Sequence, residues 1–467
     1  MIEKNFLKSG KRVLFTIFTQ GLLSVAAIIM GFGLPKFLSV EEYSRWQVFY
    51  FYVGYVNYLQ FGFNDGLILN FSGRRFEELP WNNIKRATIR IVLYQAIGLG
   101  LLLIVASCIK CDFAVVGLLV FSCIPTVLMC ILSAVLLAGN KTYDYNLLCL
   151  IIRLTFVVIM IIGICASITS AEFYMWADSI SKIIVVLIVY IYERRYIPKA
   201  IQADSQKIGN FIRQNCTSGI IIASTVLLLG LLPMCGRVVI QLLGDEIEYA
   251  MFSFAISMLS IILTFTNAIG TVAFPMLKNT ENNGSAARHH KLKKLYDEIL
   301  WVCLWAVVVI NVIVENFLHE YVGVLEYFPI LLAVCWPLGK VQSIIYPYYK
   351  VYRKEKEFLR ICIIGIIISF GLSFCFYPFA GLMGMAVVAL LGVLITYLIL
   401  DVYFEKKVVH TDYGIELEAY IMLGIFLLTS LTLKNGMFAL VYGLIIVVHL
   451  WITMKKEKRN NDAAKGL

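Results

Sequence analysis

Seven ionisable side chains inside or at the margins of long apolar runs, where a charge is expensive, are candidates for chemistry. Five are bases and two are acids: Arg90, Arg153, Lys182, Arg237, Lys340, Asp65 and Asp178. Each costs roughly 2.5 to 3.5 kcal/mol on membrane-insertion scales, so such groups face a wet cavity or a partner. Five bases against two acids leave an excess of three positive charges. Because charge-assisted bonds from Arg and Lys replace lost water, the bases predict a cationic cavity that binds an anionic group.

Two of the bases lie deep in their runs. Lys340 is far from both ends of the run 327–348, so it faces either the cavity or a hidden acid. Arg153 follows Asn146, at the start of its run, by a distance of about 10 Å along a helix. Its long side chain either enters the cavity or reaches back to the membrane surface.

Two acids are candidates for ion coupling or gating. Asp178 and Lys182 are four residues apart, share one helical face and can pair. Such a pair either lines the cavity or is a neutral structural ion pair between helices. Asp65, next to Asn64, is a proton or cation coupling site if burial raises its proton affinity. We expect instead that the Asn64-Asp65-Gly66 sequence forms a turn that ends the second span.

Two further bases lie near the ends of their runs. Arg90 follows Arg86 by one helical turn, so it either lines the cavity or extends to the interface. Arg237 is close in sequence to Asp245 and Glu246, with which it forms either an outer gate pair or a surface ion pair. Both are included in the predicted cationic site.

The second run also carries several tyrosines, namely Tyr50, Tyr52, Tyr55 and Tyr58. Such rings can stack on sugars. Aromatic side chains also fill helix contacts and are enriched at membrane interfaces, so we expect a packing role.

The elements that position these residues are membrane-spanning helices. The chain has 467 residues, of which 60% are hydrophobic and only 15% are charged, and this balance excludes a water-soluble protein. We predict an all-α polytopic membrane protein with about 14 spans. They are residues 13–34, 46–70, 87–107, 114–138, 146–167, 173–192, 216–243, 249–274, 300–317, 327–348, 361–379, 382–404, 417–433 and 437–454.

The distribution of basic residues orients these spans. With the N-terminus inside, most of the 40 Lys and Arg residues fall on the cytoplasmic side, as in other short-looped membrane proteins. The outer connections hold only Lys36, Arg45, Lys110 and Lys434. Both termini are therefore predicted to be cytoplasmic, and the basic inner loops are predicted to contact anionic lipid headgroups. The net charge of +10 is explained by the membrane rather than by nucleic acid.

No cofactor, metal site or enzyme motif is predicted. Most of the 12 cysteines lie in apolar runs, where Cys behaves as a small hydrophobe. The one close pair, Cys108 and Cys111, lacks the second half of a zinc site. The sequence contains neither a Walker-type phosphate loop nor a GxSxG nucleophile elbow, so we predict that the protein is not an enzyme.

Two similar segments indicate an internal repeat. Residues 37–43 (FLSVEEY) and 243–249 (LGDEIEY) each lead from an odd-numbered span into an even-numbered one. The two halves would therefore share one orientation, as in parallel repeats related by an axis along the membrane normal. Repeats of this kind usually enclose a central cavity.

The start of the chain resembles a known family. Residues 33–46 (GLPKFLSVEEYSRW), 59–66 (LQFGFNDG) and 70–75 (NFSGRR) look like the opening of the polysaccharide biosynthesis, or Wzx-type, flippases of the multidrug/oligosaccharidyl-lipid/polysaccharide exporter superfamily. Ser44 replaces the usual glycine, and Asn64 and Asp65 replace more apolar residues. The local motif covers about forty residues, whereas the number of spans and the lack of soluble domains concern the whole chain.

The resemblance implies a MATE-like architecture with two six-helix lobes and two additional C-terminal helices. The predicted segments are an N-terminal lobe at 1–213, a C-terminal lobe at 214–404, and two further spans with a basic tail at 405–467. It also implies a cargo, an undecaprenyl-pyrophosphate-linked oligosaccharide, moved from the inner to the outer leaflet of the bacterial cytoplasmic membrane. A monomer that works beside other membrane proteins of glycan assembly is the expected state.

Two other functions remain open at this point. A multidrug or cation antiporter of the same superfamily would require an acidic lumen, which the positive excess disfavours. A membrane-embedded polysaccharide polymerase or ligase would typically present a sizeable outer loop with catalytic side chains, and the predicted outer connections are short.

Overall fold

The computed structural model consists of α-helices and describes residues 2–108, 112–193, 207–278, 285–409 and 417–465. Within these ranges the chain forms no β-strand. A backbone in hydrocarbon must satisfy its own N–H and C=O groups, and a helix does so within each segment. The predicted all-α polytopic fold is confirmed.

The chain divides into two compact units. Unit 1 is Met1–Leu228. Its core is formed where α5 packs on α3, α4 and α7, and where α1 and α7 pack on α6. The helices that begin in unit 1 are α1 (Ile2–Phe37), α2 (Val40–Tyr55), α3 (Phe63–Phe71), α4 (Trp81–Cys108), α5 (Phe113–Ala138), α6 (Thr142–Cys165), α7 (Ala171–Glu193) and α8 (Ile208–Leu231).

Unit 2 is Leu229–Leu467. Its longest helix, α16, packs on α9, α13 and α14, while α18 packs on α12 and α17. The helices of this unit are α9 (Cys235–Leu243), α10 (Glu246–Lys278), α11 (Ser285–Leu304), α12 (Ala306–Phe317), α13 (Phe328–Ala333), α14 (Cys335–Lys340), α15 (Tyr346–Val351), α16 (Glu355–Phe404), α17 (Leu417–Thr432) and α18 (Asn435–Lys465).

The predicted count of 14 spans is not confirmed. The described residues contain 9 helical stretches that are long and apolar enough to cross a membrane. One of them, Glu355–Lys407, has 53 residues, or about 80 Å at 1.5 Å per residue, which exceeds two crossings of a bilayer core. It is divided at Gly381, whose φ of 51° and ψ of −136° are not helical. The sequence predicted a boundary between two spans at this position.

Small residues let the two halves of α16 pack closely. A Cβ added to Gly365 would lie 2.1 Å from the hydroxyl oxygen of Thr396, and one added to Gly392 would lie 2.0 Å from that of Ser369. Helices in membranes associate mainly through such close backbone approach, since lipid supplies no hydrophobic driving force between them.

The second predicted span is broken, but not where the sequence predicted. A 3-10 turn, Val56–Gln60, follows α2, and Phe61 and Gly62 then adopt left-handed φ values of 50° and 78°. The predicted turn at Asn64-Asp65-Gly66 is wrong, because these three residues lie within α3.

Contact with α8 explains the position of the break. A Cβ on Gly219 of α8 would lie 2.0 Å from the carbonyl oxygen of Gly62, and a Cβ on Gly66 would lie 1.9 Å from the carbonyl oxygen of Asn215. Gly62 and Gly66 are four residues apart, so they form a small-residue surface of the type that packs helices in membranes. The left-handed backbone at Gly62 is therefore fixed by tertiary contact rather than by local turn chemistry.

We predict that Gly219→Ala lowers the thermal unfolding temperature of the detergent-purified protein. The added methyl group overlaps the Gly62 carbonyl, and overpacking of this kind typically costs about 1–3 kcal/mol. Gly209→Ala in the same helix is the matched control, because its Cβ would meet nothing within 4 Å. It is expected to keep or slightly raise the unfolding temperature, since Ala favours a helix more than Gly. Equal effects of both substitutions would contradict this account of the crossing.

Candidate functional site

The deepest predicted base, Lys340, is held by a carboxylate of unit 2. It ends α14, and its side chain is 0% exposed. Its Nζ lies 2.7 Å from Oδ1 and 2.9 Å from Oδ2 of Asp297 on α11. Trp336, one turn earlier, donates its indole N–H to Oδ1 of the same carboxylate at 2.7 Å. Of the two predicted surroundings of Lys340, the structure shows the hidden acid.

Aromatic rings enclose this pair. The Lys340 Nζ lies 4.9 Å from the ring centre of Trp336 and 5.7 Å from that of Tyr397, and cation–π attraction adds to the ion pair. Trp336 in turn stacks on Trp301. A π-helical segment, Val341–Ile345, follows Lys340 directly, and such segments are frequent at functional sites.

A second lysine of unit 2, Lys293 of α11, is shared by two carboxylates. Its Nζ lies 2.9 and 2.8 Å from the two oxygens of Asp401 and 3.3 Å from Oε1 of Glu405. The Lys293 side chain is only 1% exposed. Lys293 and Asp297 are four residues apart on α11, so the two ion-paired clusters occupy successive turns of one helix.

The sequence analysis missed four of these charged residues, namely Lys293, Asp297, Asp401 and Glu405. The first two precede the predicted span 300–317, and Glu405 follows the predicted span 382–404. The signal that could have identified them is the four-residue spacing of Lys293 with Asp297 and of Asp401 with Glu405. The predicted excess of three positive charges is wrong, because Glu315, Asp401 and Glu418 lie within the predicted spans 300–317, 382–404 and 417–433 and were left out of the count.

In unit 1, the predicted pairing of Asp178 with Lys182 is present. The Lys182 Nζ lies 2.5 Å from Oδ2 of Asp178, and the two side chains are 9% and 10% exposed. Both residues lie on α7, whose Ser179 hydroxyl bonds the hydroxyl of Ser122 on α5. This bond fixes the charged face of α7 against its neighbour. Whether the pair serves coupling or only packing stays a prediction.

Arg153, on α6, is held by neutral groups. It donates to the hydroxyl of Tyr50 at 3.1 Å and to the sulfur of Met30 at 3.6 Å. Among the residues that the structure describes, no carboxylate lies at ion-pair distance from its guanidinium. Asp178 is near enough to act on it electrostatically. Arg153, Lys182 and Asp178 together carry one net positive charge.

Aromatic rings extend from the Arg153 contact into α2. Tyr50 stacks on Trp46 with ring centres 5.5 Å apart, and Trp46 stacks on Phe156 at 5.6 Å. Tyr50 therefore combines the predicted packing role with a hydrogen bond to a half-buried cation. A cation beside a half-buried tyrosine ring can bind a phosphate while that ring contacts a sugar.

The other two bases are not in this group. Arg90 is exposed on α4. Arg237 is buried on α9 of unit 2, and its guanidinium lies 5.4 Å from the ring centre of Tyr249. Within unit 1, the structure brings together Arg153, Asp178 and Lys182 of the predicted site residues.

Asn64 and Asp65 lie on α3. The buried Asn64 donates its side-chain N–H to Oδ1 of Asn57 at 2.8 Å. Asp65 is half-buried and acts electrostatically on Tyr58. Their proposed role in coupling stays a prediction.

No metal centre is found in the described part of the chain, where no group of at least three His, Cys, Asp or Glu side chains could hold an ion. Cys111 of the close cysteine pair, and Lys110 beside it, lie outside the described residues.

An arginine at one end of unit 1 joins the helices that carry these residues. Arg45 of α2 contacts Glu42 at 2.8 Å, Asp112 at 2.7 Å and Glu172 at 3.1 Å. Asp112 also caps α5 by accepting from the backbone N–H of Ala114. Partial burial alone would raise the pKa of Asp112, but the hydrogen bonds from Arg45 and from the α5 backbone outweigh it, so the pKa is lowered.

We predict that Asp112→Asn lowers the unfolding temperature at neutral pH and has less effect in acid. A carboxyl whose pKa is lowered on folding stabilises the protein above its ordinary pKa, here 3.8, and this stability is lost as the pH falls through the lowered value. Asn keeps a cap acceptor, so the variant isolates the ion pair. Thermal unfolding from neutral pH to about pH 3 measures the difference. Glu41→Gln, which removes an exposed carboxylate from the same end of α2, should change little, and a pH-independent difference for Asp112→Asn would contradict the prediction.

We also predict strong coupling between Asp297 and Lys340. Removing one partner leaves a buried charge uncompensated, which costs about 3–5 kcal/mol, so Asp297→Asn and Lys340→Met should each lower the unfolding temperature markedly. The double variant should recover most of the loss, because it removes both charges. Additive losses in the double variant would show that the pair does not act as a unit.

Comparisons with known proteins identify the fold. No protein-family model and no curated protein matches the chain. It is similar to a solved structure of the lipid II flippase MurJ in an inward closed conformation, with 15% sequence identity, a TM-score of 0.66, and coverage of 96% of this chain and 99% of that one. It is also similar to an inward-facing multidrug resistance MATE family transporter of the MOP superfamily, with 12% identity, a TM-score of 0.62, and coverage of 90% and 99%. The chain therefore has the fold that these MurJ and MATE structures share, as the predicted MATE-like architecture requires.

Proposed function

We propose that the protein is a flippase that moves an undecaprenyl-pyrophosphate-linked oligosaccharide, a repeat unit of O-antigen, capsule or exopolysaccharide, from the inner to the outer leaflet by alternating access. Its fold, shared with a lipid II flippase, supports transport of a lipid-linked cargo. The charge arrangement of unit 1 supports an anionic headgroup.

The observation that carries the proposal is the environment of Arg153. Its guanidinium is half-buried and donates to a hydroxyl and a thioether, neither of which is charged. A guanidinium presents several N–H donors in a planar fork that matches phosphate oxygens. A pyrophosphate that leaves water can therefore regain strong hydrogen bonds at this position.

The neighbouring groups fit the remainder of such a cargo. Tyr50 presents a half-buried ring beside Arg153, and such a ring can bind the apolar face of a sugar. Trp46 is buried and supports the Tyr50 ring by stacking on it. Lys182 and Lys340 are each held by a carboxylate, so we do not assign them to first contact with the cargo. The Lys340 pair joins α14 to α11, whereas the Lys182 pair lies within α7. Arg90 and Arg237 remain proposed cargo-binding residues.

We place the protein in the bacterial cytoplasmic membrane as a monomer with both termini inside, next to other glycan-assembly proteins. The distribution of Lys and Arg among the predicted loops supports this orientation. The proposed lobes at 1–213 and 214–404, with two further spans at 405–467, follow the same topology.

A second candidate function is a multidrug or cation antiporter. The ion-paired carboxylates of unit 2, Asp297, Asp401 and Glu405, favour it because acidic side chains attract cationic drugs. The likeness to a multidrug resistance MATE transporter is consistent with this candidate as well.

We predict that the purified full-length protein in liposomes exposes a fluorescent undecaprenyl-pyrophosphate oligosaccharide to a membrane-impermeant quencher. Arg153→Ala should slow this movement about tenfold or more, since one hydrogen bond to a charged group contributes roughly 1.5–3 kcal/mol. Arg153→Lys should keep part of the activity, because it retains the charge without the planar fork.

Arg86→Ala serves as the control, since it removes an exposed base of the same unit. If Arg153→Ala moves the glycolipid at the wild-type rate, Arg153 does not belong to the cargo-binding site. Export of cationic dyes by a wild-type protein that leaves the glycolipid in place would favour the antiporter.

A further inference from the structure

One acid of unit 1 interacts with two bases. Asp178 forms its 2.5 Å ion pair with Lys182 of the same helix, and it also acts electrostatically on Arg153 of α6. Helices α6 and α7 pack directly on each other. Asp178 is thus a competitor for the cation that the proposed function assigns to the cargo.

The present arrangement leaves Arg153 with weak neutral partners. Its long side chain is held by one hydroxyl, on Tyr50, and by one sulfur, on Met30. A carboxylate in a low-dielectric interior attracts a guanidinium far more strongly than either group does. Without Lys182, Asp178 would carry an unbalanced charge, and Arg153 is the base that it already influences.

We propose that Lys182 is a positioning residue that keeps Asp178 occupied, so that the Arg153 guanidinium stays available to the anionic headgroup of the cargo. This inference rests on the proposed function. Lys182 itself does not contact the anion, and its effect is exerted through Asp178.

The packing of α7 supports this division of roles. Ser179, between Asp178 and Lys182 in sequence, bonds the Ser122 hydroxyl of α5 and also donates to the carbonyl of Met175. Ser181 donates to the carbonyl of Asp178. These bonds hold the turn that carries the ion pair, so the carboxylate cannot readily move away from both bases.

The test measures binding of inorganic pyrophosphate to the full-length protein in detergent by isothermal titration calorimetry, together with glycolipid movement in liposomes. Lys182→Met should weaken pyrophosphate binding about tenfold or more, because Asp178 then pairs with Arg153. The double variant Lys182→Met/Asp178→Asn should return to within about threefold of the wild type, since the competitor is gone. Lys182→Arg should bind as the wild type does, and Lys85→Met, which removes an exposed base, is the matched control.

Asp178→Asn provides an independent reading if Lys182→Met does not fold. It removes the acid near Arg153 and should tighten pyrophosphate binding about threefold or more. Unchanged or weaker binding by Asp178→Asn would overturn the proposal.

Two other outcomes would also overturn it. Wild-type binding by Lys182→Met would make the pair purely structural, and a double variant as weak as Lys182→Met would show that Lys182 touches the anion directly. A wild-type protein that neither binds pyrophosphate nor moves the glycolipid would instead refute the proposed function.

Discussion

A charge buried among apolar helices needs a partner in its own helix bundle, and both units are arranged around this requirement. Desolvating an ammonium or a carboxylate without compensation costs more than most packing contacts supply. Lys340 and Lys293 therefore meet Asp297, Asp401 and Glu405 within unit 2, while Lys182 meets Asp178 within unit 1. The pairs of unit 2 fix which helix faces meet, because they join different helices and the wrong rotation of either helix would separate the partners. The pair of unit 1 lies within α7 and neutralises the charge on one face of that helix.

The net charge of these groups of residues is positive in unit 1 and negative in unit 2. In unit 1, two bases accompany one acid, and the extra base, Arg153, contacts only neutral atoms in the described residues. In unit 2, the acids outnumber the bases among the five ion-paired residues. The charge of the unit 1 group matches the proposed anionic cargo, and that of the unit 2 group matches the cationic drugs of the second candidate function.

Much of the fold could be predicted from the sequence, because long apolar runs and basic loops reflect the bilayer directly. The boundary at Gly381 followed from the ends of the apolar runs 361–379 and 382–404, and the pairing of Asp178 with Lys182 followed from helical spacing. The position of the break in the second span could not be predicted, since it depends on the approach of Gly219 to Gly62, residues far apart in the chain. The role of Asp297 could not be predicted for a related reason. A charged segment before an apolar run resembles a loop until its partner on another helix, here Lys340, is known.

Close backbone approach and charge pairing depend on each other. Gly339, immediately before Lys340, has no side chain, and a Cβ there would lie 2.5 Å from the hydroxyl oxygen of Tyr296. Tyr296 precedes Asp297 on α11, and its hydroxyl bonds Ser343 at 3.3 Å. The missing methyl group at position 339 therefore lets α11 approach α14 closely enough for the carboxylate of Asp297 to meet the ammonium of Lys340. Since lipid gives no driving force for helix association, close approach at small residues and the pairing of buried charges together determine which helices become neighbours.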